Sequence, residues 1–133
     1  MTDQKYEILE SKTAKMWVDD EGIVWYEIFQ GAHETMEDIN TNLDYQVQLS
    51  GGVPAPILYD MRQMAGIDQD ALLAYYHDPR AVETTKAMAT VQTSWMAKTI
   101  SNLVGFRFFA KAVYPSRSFN DLDKALAWLR TYL

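Results

Sequence analysis

The first part of the chain alternates short apolar runs with polar turns. Residues 13–18 and 23–29 are rich in β-branched and aromatic side chains, and Gly22 ends the polar segment between them. Such runs are typical of strands, and a glycine that takes positive φ allows a tight turn between them. The pattern predicts an antiparallel hairpin over 13–29, preceded by one more short strand at residues 5–10.

A helical repeat follows this hairpin. Thr35 precedes it and Asp38 stands three places later, which is the spacing of a capping box. The segment Ser50-Gly51-Gly52 predicts the end of the helix. A helix between two strands is the usual connection of a parallel pair. The apolar positions that share one face of this helix are Met36, Ile39, Leu43 and Val47.

The stretch from Pro56 to Asp68 predicts a buried strand, a loop and the start of a helix. Residues 57–59 are continuously apolar and are followed by Asp60. A short run of this kind suits the middle of a parallel sheet, where both faces are covered. Because α/β proteins place their sites at the carboxyl ends of such strands, the loop from Asp60 to Asp68 is the first candidate site.

Helices and strands alternate in the remainder of the chain. A helix that begins at Asp68 or Gln69 is interrupted at Asp78, since the residue before a proline avoids helical geometry, and resumes over 80–86. A weak strand is predicted at 87–92. The alternation predicts an α/β fold.

The last part of the chain predicts two more helices around one strand. Ser94 caps a long helix that runs to Phe108. Residues 112–119 form a short strand, and Pro115 places part of it at a sheet edge or at its start. Asn120 caps the final helix. The core-facing stripe of that helix is Leu122, Ala125, Leu126, Leu129 and Leu133.

The composition predicts one folded domain over residues 1–133. Apolar residues make up 48% of the chain, and cysteine is absent. Disulfides and thiolate metal sites are thereby excluded. The polar N-terminus has no apolar signal core, which predicts a cytoplasmic protein. Lysine, arginine and asparagine side chains interrupt the apolar stretch 95–114, which argues against a membrane span.

The net charge of −6 is unevenly distributed. Residues 1–86 hold 16 acidic and 6 basic side chains, whereas residues 87–133 hold 2 acidic and 6 basic ones. The acidic balance argues against nucleic-acid binding, which needs clustered lysine and arginine. The asymmetry has two interpretations: an acidic face matched to a basic one in a homodimer or a protein partner, or one fold that interleaves both halves.

No motif indicates catalysis, a metal or a cofactor. His33 and His77 lack a metal-ligand spacing, and the Gly-Gly pair follows a helix rather than the strand that precedes a phosphate loop. Asp60 and Asp68 can pair as acid and base, but Asp60 can equally accept loop N–H bonds and Asp68 can cap the next helix. We therefore expect a protein that is not an enzyme and that holds no cofactor or metal.

Methionine and aromatic side chains indicate a second kind of site. Methionine adapts to irregular apolar partners, so an apolar pocket or interface can be built from these residues. The candidates are Met61, Met64, Tyr75, Tyr76, Trp95, Phe106, Phe108 and Phe109. The alternative is that about half of them are core residues, and the three phenylalanines cannot all face one way on a helix.

Two segments resemble the SpoIIAA-like, or STAS-like, family, and in particular its small, uncharacterised bacterial members. They are residues 57–62, which read Ile-Leu-Tyr-Asp-Met-Arg, and residues 118–130, with Phe119 followed by Ala125 and by Ala127-Trp128-Leu129. The resemblance spans most of residues 13–133. It implies a single mixed sheet of about four to six strands, an N-terminal hairpin followed by parallel strands, with about four helices packed mainly on one face.

The same resemblance implies binding rather than catalysis. In signalling STAS proteins the loop carries Asp-Leu-Ser and then Ile-Asp-Ser, and the second serine is phosphorylated to switch partner binding. Residues 60–62 and 67–68 match this frame, but Gln69 stands at the switch position and cannot take a phosphate.

Two hypotheses for function follow from the resemblance and the residues together. The first is a non-catalytic binding or regulatory module that self-associates as a homodimer and contacts a protein partner through the Asp60–Asp68 loop and the helix that follows it. The loop residues concerned are Asp60, Met61, Arg62, Met64, Asp68 and Gln69. The alternative is a carrier or sensor of a small, lipid-like apolar ligand, because other STAS-like proteins resemble lipid-binding proteins of the Sec14 type.

Overall fold

The computed structural model describes residues 7–94 and 113–133. The strands in these ranges are β1 (Leu9–Glu10), β2 (Ala14–Val18), β3 (Val24–Ile28), β4 (His33–Glu34), β5 (Ala55–Asp60), β6 (Gly66–Ile67), β7 (Thr85–Val91) and β8 (Ser116–Phe119). The helices are α1 (Met36–Ser50), α2 (Gln69–His77), α3 (Pro79–Thr84) and α4 (Leu122–Arg130).

Six of the strands form one mixed sheet in the order β1-β2-β3-β5-β7-β8. The pairs among β1, β2 and β3 are antiparallel, and the pairs among β3, β5, β7 and β8 are parallel. Ile57 and Leu58 of β5 belong to the cores on opposite faces and are both fully buried. The predicted hairpin, the parallel strands that follow it and the central position of residues 57–59 are confirmed.

The predicted capping box explains where α1 begins. The Thr35 hydroxyl accepts a hydrogen bond from Asp38 N at 3.4 Å, and the Asp38 carboxylate accepts one from Thr35 N at 2.9 Å. Gly51 ends the helix at φ +70°, in the left-handed region that favours glycine. Local sequence therefore fixes both ends of α1, the helix that connects β3 to β5 through the loop carrying β4.

Helices cover the two faces of the sheet unequally. α1, α2 and α3 pack on the face that we call the three-helix face, whereas α4 packs on the opposite face against β5, β7 and β8. Ala87 and Ala89 of β7 and Ala125 of α4 are fully buried between strand and helix, and their small side chains let helix and sheet approach closely. Three of the four described helices share one face, as predicted.

Several element boundaries differ from the prediction. Of the predicted strand at 5–10, residues 7 and 8 are not in a strand and only Leu9–Glu10 pair with β2. β7 begins at Thr85, two residues before the predicted start, because α3 ends at Thr84. β8 begins directly after Pro115 and lies at the sheet edge, as expected for a proline that cannot donate to a neighbouring strand.

The cap of α4 is Asp121 rather than Asn120. The Asp121 carboxylate accepts a hydrogen bond from Lys124 N at 3.1 Å. Both residue types cap helices, so the backbone path out of β8 decides between them. The predicted helix from Ser94 to Phe108 lies, apart from its first residue, outside the described residues. Within the described ranges, no helix has the length and apolar character needed to cross a membrane.

Candidate binding surface at the sheet rim

The loops that follow β3 and β5 are joined to each other at the carboxyl edge of the parallel strands. Gly31 N donates to Gln63 O at 2.9 Å, and Ala65 N donates to Ala32 O at 2.8 Å. β4 and β6 then pair in parallel as a separate small sheet. Backbone hydrogen bonds thus combine two loops that are distant in sequence into one unit.

His33 closes this unit on its outer side. Its Nε2 atom lies 2.7 Å from Asp68 Oδ1, and the two side chains are 54% and 48% exposed. The imidazole also lies against Gly66, where a Cβ atom would come within 2.7 Å of His33 Nδ1. Asp68 occupies the cap position of α2 without a side-chain cap bond, because its carboxylate contacts His33 instead. A glycine at position 66 is what allows the ring to lie there.

A second ion pair joins Asp60, at the end of β5, to Arg62. The Nε and Nη2 atoms of Arg62 lie 2.9 and 2.7 Å from the two carboxylate oxygens, a bidentate arrangement. These hydrogen bonds from the guanidinium to Asp60 raise the pKa of Arg62 above its ordinary value, so the guanidinium stays charged. We name the side chains of His33, Asp60, Arg62, Gln63 and Asp68 the rim surface.

The structure separates the predicted loop residues into exposed and buried ones. Asp60, Arg62 and Asp68 belong to the rim surface, and Gln69 is the exposed first residue of α2. Met61 and Met64 are each only 2% exposed and pack in the core beneath the loop. Their side chains therefore anchor the loop and are not part of its outer surface, a correction to the predicted contact set.

The residues of the predicted apolar site lie either in the core or outside the described ranges. Tyr75 and Tyr76 are 2% and 9% exposed and belong to the core of the three-helix face, in line with the alternative that part of the candidate set is core. Trp95, Phe106 and Phe109 lie outside the described residues.

Glu34 forms the centre of a buried hydrogen-bond network directly beneath the rim surface. The residue is fully buried. Its Oε2 atom accepts from Thr13 Oγ1 at 2.7 Å and from Asn42 Nδ2 at 2.9 Å. Its Oε1 atom accepts from the Tyr59 hydroxyl and, at 3.2 Å, from the Tyr75 hydroxyl. One carboxyl group thereby links the start of β2 to α1, β5 and α2.

Burial and hydrogen bonding shift the pKa of Glu34 in opposite directions. Burial raises the pKa of its carboxyl group, and the hydrogen bonds from Tyr59, Thr13 and Tyr75 lower it by less. Burial and the neighbouring Glu34 charge raise the pKa of Tyr59 and of Tyr75 well above the ordinary value. The two phenols therefore stay protonated as donors. None of the ion pairs among residues 7–94 and 113–133 includes Glu34.

A second buried cluster continues the network along α1. The Tyr26 hydroxyl donates to Gln46 Oε1 at 2.5 Å, and Gln46 Nε2 donates to the hydroxyls of Thr84 and Thr85 at 2.8 and 3.0 Å. Asn42 Oδ1 is buried and has no hydrogen-bond partner within the described part of the chain. Hydrogen bonds thus fix α1 to β3, to the end of α3 and to the start of β7.

Sequence reasoning missed these buried polar residues, although α1 carries a signal for them. Asp38, Asn42 and Gln46 recur every four residues, next to the apolar stripe, and all three are buried. Polar groups in a buried stripe need hydrogen-bond partners, so this period could have predicted a buried polar network. No comparable signal identifies Glu34 as its centre.

Among the grooves that described residues line, two lie away from the rim surface. One, of about 360 Å³, lies at the carboxyl ends of β7 and β8 and is lined by Gln92, Thr93, Ser94, Ser118, Phe119 and Asn120. The other, of about 310 Å³, lies at the amino ends of the parallel strands. Its lining residues include Val18, Val24, Leu49, Val53, Tyr132 and Leu133. Neither contains Glu34 or a rim residue, so neither presents a buried or rim carboxyl group to a substrate. The described residues include no group of three or more potential metal ligands.

Comparisons with known proteins agree with this architecture. A family model described as "Domain of unknown function (DUF7793)" matches residues 16–133. Among solved structures, the chain is similar to an uncharacterised protein of the DUF3478 family with a SpoIIAA-like fold from Shewanella loihica PV-4. The two share 16% sequence identity and a TM-score of 0.51, over 97% of this chain and 98% of that chain. This likeness concerns the fold alone, and at that level it confirms the resemblance predicted from sequence. No curated protein matches the chain.

Proposed function

We propose that this chain, which belongs to the DUF7793 family and has a SpoIIAA-like fold, is a non-catalytic binding module. Its rim surface contacts a protein partner. The observation that carries the proposal is the joining of the two loops by β4 and β6. A backbone-bonded loop pair holds its outward side chains in fixed positions before any partner arrives. Such preorganisation lowers the entropic cost of binding.

The chemistry of the carboxyl groups favours binding over catalysis. Glu34, the carboxyl group whose pKa is raised, is fully buried and surrounded by four donors. A general acid or base must reach the proton that it transfers, and Glu34 has no route to a substrate in this conformation. On the rim surface, Asp60 and Asp68 are already paired with Arg62 and His33.

The charge around the rim surface indicates the kind of partner. Acidic Asp68 and Asp70 are exposed near the carboxyl edge, where Arg62 is already paired with Asp60. A surface with this balance favours a partner that presents lysine or arginine side chains, because complementary potentials speed association and suppress wrong partners. The guanidinium of Arg62 is neutralised by Asp60 and held in a fixed geometry, so it adds a contact that such a partner does not repel, and arginines of this kind often dominate binding energy.

Site-specific photocrosslinking tests the proposal. A photoreactive amino acid replaces Gln63 on the rim surface or, as the matched position, Asp20 in the exposed turn at the opposite sheet edge. We expect the Gln63 position, and not the Asp20 position, to capture one protein reproducibly in the native cell extract. Mass spectrometry identifies that protein, and the purified pair is then titrated by calorimetry.

Two arginine variants provide the control. Arg62 and Arg130 are both exposed and both form bidentate pairs, Arg62 with Asp60 at the rim and Arg130 with Glu21 at the opposite edge. We expect Arg62→Ala to weaken partner binding at least about tenfold, while Arg130→Ala leaves it unchanged. Equal capture at Gln63 and Asp20, or equal effects of the two variants, would rule out the rim surface as the contact site.

A carrier or sensor of a small apolar ligand is the second candidate. It is supported by the 310 Å³ groove, whose lining is mainly apolar and includes the exposed side chains of Val53 and Leu133. Native mass spectrometry of the purified protein measures any retained ligand. An added mass that disappears in Val53→Asp supports this candidate. If the protein, after incubation with a lipid-rich extract and repurification, shows only the mass of the chain, the candidate is contradicted.

A further inference from the structure

One half of the sheet has a face that the described helices leave largely open. α1 contacts β2 and β3 from the three-helix face, where Met16 and Tyr26 are fully buried. On the opposite face, α4 packs against β5, β7 and β8, and its core ends beside Trp25. The side chains of β2 and β3 on that face are Lys15, Trp17, Trp25 and Glu27. We call these four side chains the hairpin face.

The two tryptophans at the centre of the hairpin face are held in place and partly exposed. Their rings stack with centroids 5.2 Å apart and an interplanar angle of 16°. Trp25 Nε1 donates to Asp19 Oδ2 at 2.8 Å, and Lys15 Nζ lies 5.5 Å from the centroid of the Trp17 ring. Rigid, partly exposed tryptophans are the side chains that contribute most often to the binding energy of interfaces.

The charges beside the tryptophans make the hairpin face complementary to itself. Lys15 stands directly opposite Glu27 across the two strands, and Trp17 stands directly opposite Trp25. A two-fold axis that runs along the strands between β2 and β3 therefore brings Lys15 of one copy onto Glu27 of the second copy, and Trp17 onto Trp25. The same operation produces both contacts twice, as an isologous interface requires.

We propose that the hairpin face is a homodimer interface, in which two copies of this chain pack sheet to sheet about that axis. Two sheets that pack in this way keep their strands nearly aligned, and their inner side chains interdigitate. The four tryptophans form the buried centre, and two Lys15–Glu27 pairs between the copies lie side by side at one end of it. The charges on the two sides of the hairpin axis are opposite, and a second copy related by the two-fold axis complements this arrangement at both pairs.

Charge reversal tests the interface by sedimentation velocity. We expect a dimeric wild-type protein and a dimer dissociation constant at least about tenfold higher in Lys15→Glu and in Glu27→Lys. Each variant then places like charges opposite each other across the interface. The matched control is Glu83→Lys, an exposed reversal on α3, which leaves the dissociation constant unchanged.

An equimolar mixture of the two variants separates an interface effect from a folding effect. In the mixed dimer, the Lys15→Glu copy presents two carboxylates and the Glu27→Lys copy presents two ammonium groups. Both pairs across the interface then join opposite charges, so we expect dimers to return on mixing. A hairpin that had unfolded could not recover in this way. A monomeric wild type, a dimer that is insensitive to both reversals, or a mixture that stays monomeric would each overturn the proposal.

Discussion

Two neighbouring residues of β4 lie in opposite environments, His33 exposed on the rim surface and Glu34 buried beneath it. His33 points outward and pairs with Asp68, with both side chains about half exposed. Glu34 points inward and is fully buried among four hydrogen-bond donors. Exposed pairs typically contribute about 0–1 kcal/mol to folding, whereas a buried carboxyl group carries a large desolvation cost that only well-placed donors offset.

The contrast between His33 and Glu34 implies that the network positions the rim surface from below. Glu34 connects four elements by its side chain, and its backbone oxygen accepts from Asp68 N at 2.9 Å at the start of α2. The exposed pairs on the outer side of the same unit contribute little to folding, so their side chains can be changed with little loss of stability. Mutations on the two sides should therefore separate stability from binding.

The largest effect is expected when the centre of the network is removed. Glu34→Ala leaves the buried donors of Thr13, Asn42, Tyr59 and Tyr75 without their acceptor. We expect the free energy of unfolding to fall by about 2–4 kcal/mol, measured by urea denaturation. The control is Glu83→Ala, an exposed glutamate on α3, which should change it by no more than about 0.5 kcal/mol. Equal effects would contradict a structural role for the network.

The pH dependence of stability provides the second test. The pKa of Glu34 is raised in the folded protein, so the folded state binds the proton more tightly than the unfolded chain does. The contribution of this group is fully present below the ordinary glutamate pKa and is lost as pH rises through the raised pKa. Between the two pKa values, the loss is about 1.4 kcal/mol per pH unit.

Glu34→Gln should remove this dependence. The amide that the substitution introduces can donate to Asn42 Oδ1, which has no partner among the described residues, once the Asn42 amide group is reversed. We expect the unfolding free energy of Glu34→Gln, relative to wild type, to increase as pH rises above the ordinary glutamate pKa. Parallel curves for the two proteins across that range would show that Glu34 titrates as an exposed glutamate does.

A smaller effect is expected at the contact between Gly66 and His33. Gly66→Ala places a Cβ atom against the imidazole ring, so the exposed ring must move and lose its contact with Asp68. We expect destabilisation of about 1 kcal/mol. In a His33→Ala background the same substitution should cost almost nothing, because the ring is gone. A cost that persists in that background would indicate a backbone requirement at position 66.

The smallest effect on folding is expected on the rim surface itself. Arg62→Ala breaks a bidentate pair between an exposed arginine and the partly buried Asp60 at the sheet rim, and we expect the unfolding free energy to change by about 0.5 kcal/mol or less. Thermal denaturation compares the melting temperature of Arg62→Ala with that of Arg130→Ala, which breaks the ion pair with Glu21 at the opposite ends of the strands. A clearly lower melting temperature for Arg62→Ala alone would mean that the rim pair is structural.

Local patterns in the sequence predicted those parts of the fold that local interactions determine. The apolar run at 57–59 predicted the central strand, and Thr35 with Asp38 predicted the start of α1. β4 and β6 have only two residues each, so neither carries a periodic signal, and their pairing depends on how β3 and β5 place the two loops. The choice of Asp121 over Asn120 as a cap has the same cause, since it depends on backbone direction.

The candidate site was predicted only in part for a related reason. The loop after β5 was identified because sites in α/β folds lie at the carboxyl ends of parallel strands. Within the loop, Met61 and Met64 are buried whereas Arg62 is exposed. This difference depends on the tertiary structure, and composition does not reveal it. The partners of Glu34 come from four separate elements, so no local window of sequence contains them.

A double variant of the rim surface tests stability and binding together. Arg62→Ala combined with Asp68→Ala removes one member of each rim ion pair. The unfolding free energy and the dissociation constant for the partner captured at Gln63 are measured on the same preparation. We predict an unfolding free energy within about 1 kcal/mol of wild type and binding at least about tenfold weaker. Wild-type affinity in this variant would contradict the proposal that the rim surface contacts the partner.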